Sequence, residues 1–310
     1  MTYDKVQGSL VGLAVGDAIG TTLEFKTRDT EPVLTDMIGG GVFGLEPGQW
    51  TDDTSMALCL GESLLTDGFD VDSQLALYSK WYTEGYMSSN GYCFDIGIGT
   101  SKAIRKWKEI RSTINNDSFF DSGNGSLMRL APVVIHGCIP EGFNEQYLKL
   151  LQNIVWSSET THAYVKPSDA CVGLGVILNR LYNGDPLDKA IDFFDKPPAM
   201  YGITDSEVIS VLEYSYMDKE RDEIKSTGFC IDTLEAALWC VTGTDNFKDA
   251  VLLAANLGDD ADTVAAVTGQ IAGAYYGLSG IPADWVSKLH NGEFIANMAK
   301  ELYDLSPCQN

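Results

Sequence analysis

Three features of this 310-residue sequence predict an all-α fold. Apolar residues recur at three- and four-residue spacing along most of its length, alternating apolar–polar runs are scarce, and short Gly, Pro, Asn and Asp groups separate the periodic stretches. Met56, Leu60, Leu64 and Leu65 predict a helix that begins near Asp53 and ends before Gly68. Leu75, Leu77, Tyr78 and Trp81 predict the next, and Ile104 with Trp107 a third. Leu127, Leu130 and Val134 mark another helix, followed by one on Leu148, Leu151 and Val155. Further helical stretches are expected over Ala170–Leu181, Glu207–Tyr216, Thr233–Val241, Ala250–Ala255, Thr263–Tyr276 and Phe294–Leu305.

Gly39-Gly40-Gly41, Asn183-Gly184-Asp185-Pro186 and Lys196-Pro197-Pro198 punctuate the chain as turns rather than as a long linker. No 20–50-residue repeat is present. Two acidic clusters far apart in sequence have to converge for the chemistry argued below, so one compact domain over residues 1–310 is expected.

Hydrophobic residues make up 45% of the chain, enough for a large core, and 44 acidic against 21 basic residues give a net charge of −23. Such a surface repels polyanions, which argues against nucleic acid as a partner. No apolar run is long enough to span a membrane. The N-terminus carries Asp4 and no cationic region, and its apolar stretch Leu10–Val15 stops at Gly16-Asp17, so no signal peptide is expected. Seven scattered cysteines without a C-x-x-C pair predict reduced thiols and a cytoplasmic protein.

The chemistry concentrates in two motifs. Gln49-Trp50-Thr51-Asp52-Asp53-Thr54 and Gly258-Asp259-Asp260-Ala261-Asp262-Thr263 each stand immediately before an apolar helix. Helix capping accounts for one or two of these residues in each motif. It leaves a surplus of carboxylates, which is costly to pack together unless a cation offsets the charge. Asp52, Asp53, Asp260 and Asp262 supply four negative charges, and Thr51 and Thr263 add neutral oxygens. That donor set matches two hard divalent cations. Neighbouring residues on a helical turn diverge by about 100°, so Asp52 and Asp53 can serve different ions.

Other motifs carry weaker signals. Gly16-Asp17-Ala18-Ile19-Gly20 suggests close helix packing or a tight turn, with Asp17 as a cap or a support. Glu24 opens a Gly-rich segment reaching Gly48, a candidate flap, although by position alone Glu24 reads as a surface residue. Phe94 to Lys102 lacks the order of a nucleotide P-loop, and Asp95 is either an N-cap for the helix at Ile104 or a carboxylate aimed at substrate. Ser122-Gly123-Asn124-Gly125-Ser126 precedes the predicted Leu127 helix, where exposed N–H groups bind phosphate, or forms a plain turn. Ser158 and His162 close a polar run, and the other histidines, His136 and His290, lack the spacing of a zinc site.

In their order, the motifs Gly16–Gly20 with Glu24, Trp50–Thr54, Phe94–Thr100, Gly123–Arg129, Ser158–His162, Ser226–Trp239 and Gly258–Thr263 resemble the ADP-ribosylglycohydrolase family. Within it the chain is most similar to the bacterial dinitrogenase-reductase-activating branch. The resemblance spans nearly the whole chain and implies an all-α domain with two Mg²⁺ or Mn²⁺ ions in a cleft. It implies Thr51, Asp52, Asp53, Asp260, Asp262 and Thr263 as metal ligands, and Asp95 and Glu24 as catalytic carboxylates. It further implies Gly123, Asn124, Gly125 and Ser126 as a pyrophosphate loop, Ser158 and His162 at the phosphate–ribose portion, and Phe229 against adenine. Phe229-Cys230 stands where that branch often has Tyr-Val, so the ring lacks a hydroxyl. The implied partners are an ADP-ribosylated protein, modified on arginine, and ADP-ribose. Serine-linked ADP-ribose, small ADP-ribosyl metabolites and a crystallin-like role without catalysis are the alternatives. A glycosyltransferase is disfavoured by the scarcity of strands. A terpenoid synthase is disfavoured because Thr263 stands where an acid is needed after Asp259.

Overall fold

The computed structural model describes residues 2–110, 122–140, 142 and 144–309. Among them the architecture is all-α, with no named strand and only isolated bridges at Gly40–Leu45 and Gly123–Phe229. The central element is α1 (Thr2–Gly20), in which every residue from Gly8 to Gly20 is buried. Periodicity does not reveal it, because a helix buried on all sides has no polar face to set the phase.

α1 packs antiparallel on α12 (Ala261–Tyr276), and the reason is legible in the residues. Gly8, Gly12, Gly16 and Gly20 recur every fourth residue, facing Gly273, Gly269, Ala265 and Ala261 in turn. A methyl group placed on them would lie 2.3, 2.3, 2.1 and 2.4 Å from those four carbonyl oxygens. The two backbones are therefore in contact along the whole pair, closer than side chains on both helices would allow. This stacking brings the end of α1 against the start of α12, where the second acidic motif lies.

Around this pair stand α2 (Asp52–Asp67), α5 (Ala131–His136), α7 (Val165–Tyr182), α10 (Cys230–Thr242), α11 (Phe247–Ala255) and α14 (Gly292–Asp304). Outside them, α3 (Val71–Glu84) packs on α2, α4 (Ile98–Ile110) on α3, and α6 (Glu145–Glu159) on α7. Short helices α8 (Leu187–Ala190), α9 (Ser206–Leu212) and α13 (Ala283–Lys288) fill the connections.

Two boundaries differ from the sequence expectation. The helix predicted over Leu127–Val134 starts only at Ala131, because Pro132 lacks an N–H and is tolerated in a first turn but not in an interior. The helix predicted to Tyr216 ends at Leu212, and Tyr214 takes a left-handed φ of 71° that a continuing helix excludes. Both α8 and α13 are too short for periodicity to mark. Among the described residues no helix is long and apolar enough to cross a membrane.

Candidate active site

The two acidic motifs meet, and Asp17 sets the geometry of the first. Thr51 is the N-cap of α2 but makes no side-chain cap of its own. The cap arrives from the last turn of α1 instead. Asp17 Oδ1 accepts from the Thr51 N–H at 2.8 Å and its hydroxyl at 2.9 Å, and Oδ2 accepts from the Thr54 N–H at 3.0 Å and its hydroxyl at 2.6 Å. Asp17 is thus a support for the motif, as its sequence context suggested. The motifs also bond each other reciprocally: the Thr51 hydroxyl donates to Asp262 Oδ2 and the Thr263 hydroxyl to Asp53 Oδ1, each at 3.3 Å.

Asp52, Asp53, Asp262 and Thr263 are buried, and Asp260 is half-buried. Glu24 is 1% exposed, so the surface position suggested by sequence alone is corrected. It hangs just beyond α1, in the turn that carries the chain over α12. Its carboxylate lies with those of Asp260 and Asp262 in a group whose oxygens are all within 4.8 Å of one another. Asp95 is half-buried, with a left-handed φ of 53°, and stands three residues before α4 begins at Ile98. It shares a hydrogen bond with Glu24.

The electrostatics follow from this crowding. Burial, reinforced by neighbouring carboxylates, holds Asp52, Asp53 and Asp262 well above the ordinary carboxylate range. Burial and then the charges of Asp262 and Asp95 do the same to Glu24. Asp95 itself is pushed up to about 6, mainly by burial, while the hydrogen bond from Glu24 pulls the other way. Among the described residues no Lys or Arg forms an ion pair with any of these acids. Asp53 Oδ2 is buried without a hydrogen-bond partner. An all-oxygen donor set with uncompensated charge and an orphaned carboxylate oxygen fits a hard divalent cation.

Glu24, Asp52, Asp95, Asp260 and Asp262 form one flank of a cleft of about 500 Å³ that Asp53 and Thr51 do not line, and Phe25, Ile96, Ile98, Gly123, Asn124, Gly125, Gly228 and His162 line it too. Asn124 joins the glycine loop to the acids: its Nδ2 donates to Asp260 Oδ2 and, at 2.9 Å, to the Thr233 hydroxyl. The loop does not lead into a helix N-terminus, and the Leu127 and Met128 N–H groups turn back onto the Asn124 carbonyl. Its glycines are needed for a reason absent from the local sequence. His162 packs against them, and a methyl group on Gly125 would lie 2.7 Å from its ring.

His162 is buried, and burial, followed by the Arg129 guanidinium, depresses its pKa to about 3. The Thr161 hydroxyl accepts from Arg129 at 2.7 Å and meets His162 Nδ1 at 2.8 Å. A Thr161 hydroxyl that donates to Nδ1 leaves the ring hydrogen on Nε2, the nitrogen facing Gly123 and Gly125. Arg129, fully buried, also bonds the Gly125 carbonyl and stacks 5.0 Å from the Tyr78 ring centre. Sequence reading placed Arg129 only inside a motif; its role as the loop's anchor depends on groups 28 to 32 residues away.

Three expected contact residues do not line the cleft. Ser126 and Ser158 bond each other at 2.8 Å behind the loop. Phe229 pairs its backbone with Gly123, and Lys166 stands 5.9 Å from its ring centre.

Comparison with known proteins identifies this arrangement. The family model for ADP-ribosylglycohydrolase matches residues 1–310. The chain belongs to the ADP-ribosylglycohydrolase family. Among its relatives, ADP-ribosylarginine hydrolase Tri1 of Serratia proteamaculans is 47% identical over 309 residues, covering 99% of this chain and 81% of that protein. The ADP-ribosyl-[dinitrogen reductase] glycohydrolase of Rhodospirillum rubrum is 30% identical over 294 residues, covering 93% and 90%. A solved structure described as an ADP-ribosylglycohydrolase-related protein complex superposes with a TM-score of 0.85 at 35% identity, covering 98% of both chains. The ADP-ribosylglycohydrolase signature thus extends over the whole chain, and the enzyme class is a glycosylhydrolase.

Proposed function

We propose that this glycohydrolase removes ADP-ribose from modified arginine side chains of a protein substrate, using two Mg²⁺ or Mn²⁺ ions. The observation that carries the reading is the meeting of the two acidic motifs, with no ion pair to any of these acids from a Lys or Arg among the described residues. The similarity to an ADP-ribosylarginine hydrolase supports arginine as the acceptor. Thr51, Asp52, Asp53, Asp260, Asp262 and Thr263 are the proposed ligands, and Glu24 is close enough to Asp260 and Asp262 to join them. When bound, such ions orient substrate hydroxyls and lower the pKa of water.

The rest of the chemistry falls to the protein. Gly123, Asn124 and Gly125 offer backbone without side-chain obstruction, and His162 Nε2–H offers a donor to phosphate oxygens. Ser126 and Ser158 hold that loop from behind, and Phe229 sets its edge through Gly123. Water attacks the anomeric carbon as the bond to the guanidine breaks and oxocarbenium character develops. Asp95 accepts the water's proton, and Glu24, its hydrogen-bond partner, steadies the carboxylate that forms the acceptor. Asp95 then passes that proton to the leaving guanidine, which departs as a guanidinium and returns Asp95 to its carboxylate form. The scattered free thiols support a cytoplasmic setting.

The test offers arginine-ADP-ribosylated and serine-ADP-ribosylated proteins to the enzyme with Mg²⁺, Mn²⁺ or a chelator. Metal-dependent release of ADP-ribose from the arginine substrate is expected. Its abolition is expected in the double variant Asp52→Asn, Asp260→Asn. Release from neither substrate under any metal would sink the assignment.

A further inference from the structure

Phe25 is a cleft-lining residue whose exposure, backbone and contacts the proposed chemistry leaves unexplained. It follows Glu24 directly and lines the cleft together with Asp52, Asp95 and Asp262. The residue is 63% exposed. Its φ is 60°, a left-handed conformation that costs a bulky residue about 1–3 kcal/mol and persists only where surroundings enforce it. The enforcement is visible. The Phe25 N–H donates to the Asp259 carbonyl at 2.7 Å, and the Asp259 N–H donates to the Lys26 carbonyl at 2.8 Å. The second acidic motif therefore clamps the strained residue from both sides.

The ring is also braced. Phe43 meets it nearly edge-on, with centroids 6.4 Å apart and planes at 73°, and Phe43 in turn contacts Phe94 at 5.1 Å. Phe94 immediately precedes Asp95, so the two carboxylates Glu24 and Asp95 are each joined in sequence to this aromatic row. This contact holds the ring in place while the residue stays 63% exposed. An exposed, strained and braced aromatic beside a group of carboxylates matches a planar cation, which gains from stacking on a ring and from nearby negative charge together. A serine acceptor has neither the charge nor the plane.

The glycine loop touches Asp260 through Asn124, and Phe25 adjoins Glu24, whose carboxylate lies with those of Asp260 and Asp262. Phe25 therefore lines the same cleft as the carboxylates where the proposed bond cleavage takes place. We infer that Phe25 is the acceptor subsite of this enzyme, stacking on the guanidinium of the ADP-ribosylated arginine and selecting it over uncharged acceptors. This rests on the arginine reading above and names the residue that reads the arginine.

The experiment measures kcat and KM on ADP-ribosylarginine, product inhibition by ADP-ribose, and Tm, for wild type and for Phe25→Ala, Phe25→Gly and Phe25→Trp. Phe25→Ala is expected to raise KM about tenfold with ADP-ribose inhibition unchanged, the loss of one stacking contact. Phe25→Trp keeps KM near wild type. Phe25→Gly behaves like the alanine variant on KM yet raises Tm, because glycine accepts the left-handed backbone without strain. An unchanged KM in Phe25→Ala, or a parallel loss of ADP-ribose inhibition, overturns the inference. Wild-type protein with no turnover of ADP-ribosylarginine fells the arginine reading itself, and with it this one.

Discussion

Asp17 shows how much one buried carboxylate can organise. Its two oxygens satisfy two N–H groups and two hydroxyls at the start of α2, so the ligand-bearing turn is held by a residue that faces away from the cleft. Asp17→Ala should strand the two N–H groups and the Thr54 hydroxyl, leaving the Thr51 hydroxyl only Asp262, and cost about 2–4 kcal/mol, read by chemical denaturation, since a buried group left without its partner forfeits its full desolvation. An effect below about 0.5 kcal/mol would mean that the turn holds itself. His162 gives a second residue-scale prediction. Its folded pKa, about 3, lies below the ordinary value of 6.5. The unfolded chain thus binds a proton between those values that the folded chain refuses, and this residue's contribution lowers stability as pH falls from 6.5 toward 3. The ring nitrogens of His162 should show the neutral Nε2–H form by NMR throughout pH 5–8. A midpoint near 6.5 would contradict the buried environment.

At the scale of elements, the α1–α12 pair decides where the site can be. Helix propensity alone says that Gly12→Ala stabilises a helix by about 1 kcal/mol. Packing says the opposite here, because the added methyl would meet the Gly269 carbonyl at 2.3 Å. Overpacking of this kind costs about 1–3 kcal/mol or more, so a net destabilisation is expected, with a lower Tm and weaker cation binding as the two helix ends shift. A stabilised Gly12→Ala would refute the close contact. The four-residue glycine spacing was present in the sequence and is the signal that finds α1, which apolar periodicity cannot find. The α5 boundary carries the same lesson, since Pro132 marks the start of the helix more reliably than the apolar spacing does.

The whole molecule joins residues near its beginning to residues near its end, because α1 and α12 form one central contact and each delivers part of the site. We propose on that ground that residues 1–310 unfold as a single cooperative unit. Calorimetry should give one transition, shifted upward by Mg²⁺ or Mn²⁺ and downward by chelator. At a hundredfold excess over Kd the stabilisation is about 2.7 kcal/mol. Two transitions, with only one of them cation-sensitive, would point to separate units.

The all-α class, most helices and both acidic motifs were legible in the residues, because each depends on local spacing and on charge that local capping cannot absorb. Tertiary structure alone decided the burial of Glu24, the anchoring of the glycine loop by Arg129 and His162, and the exposed, clamped ring of Phe25. Each of these joins groups distant in the chain. Desolvation, which sets their protonation and their energetic cost, is a property of what surrounds a side chain in space, and local spacing along the sequence does not encode it.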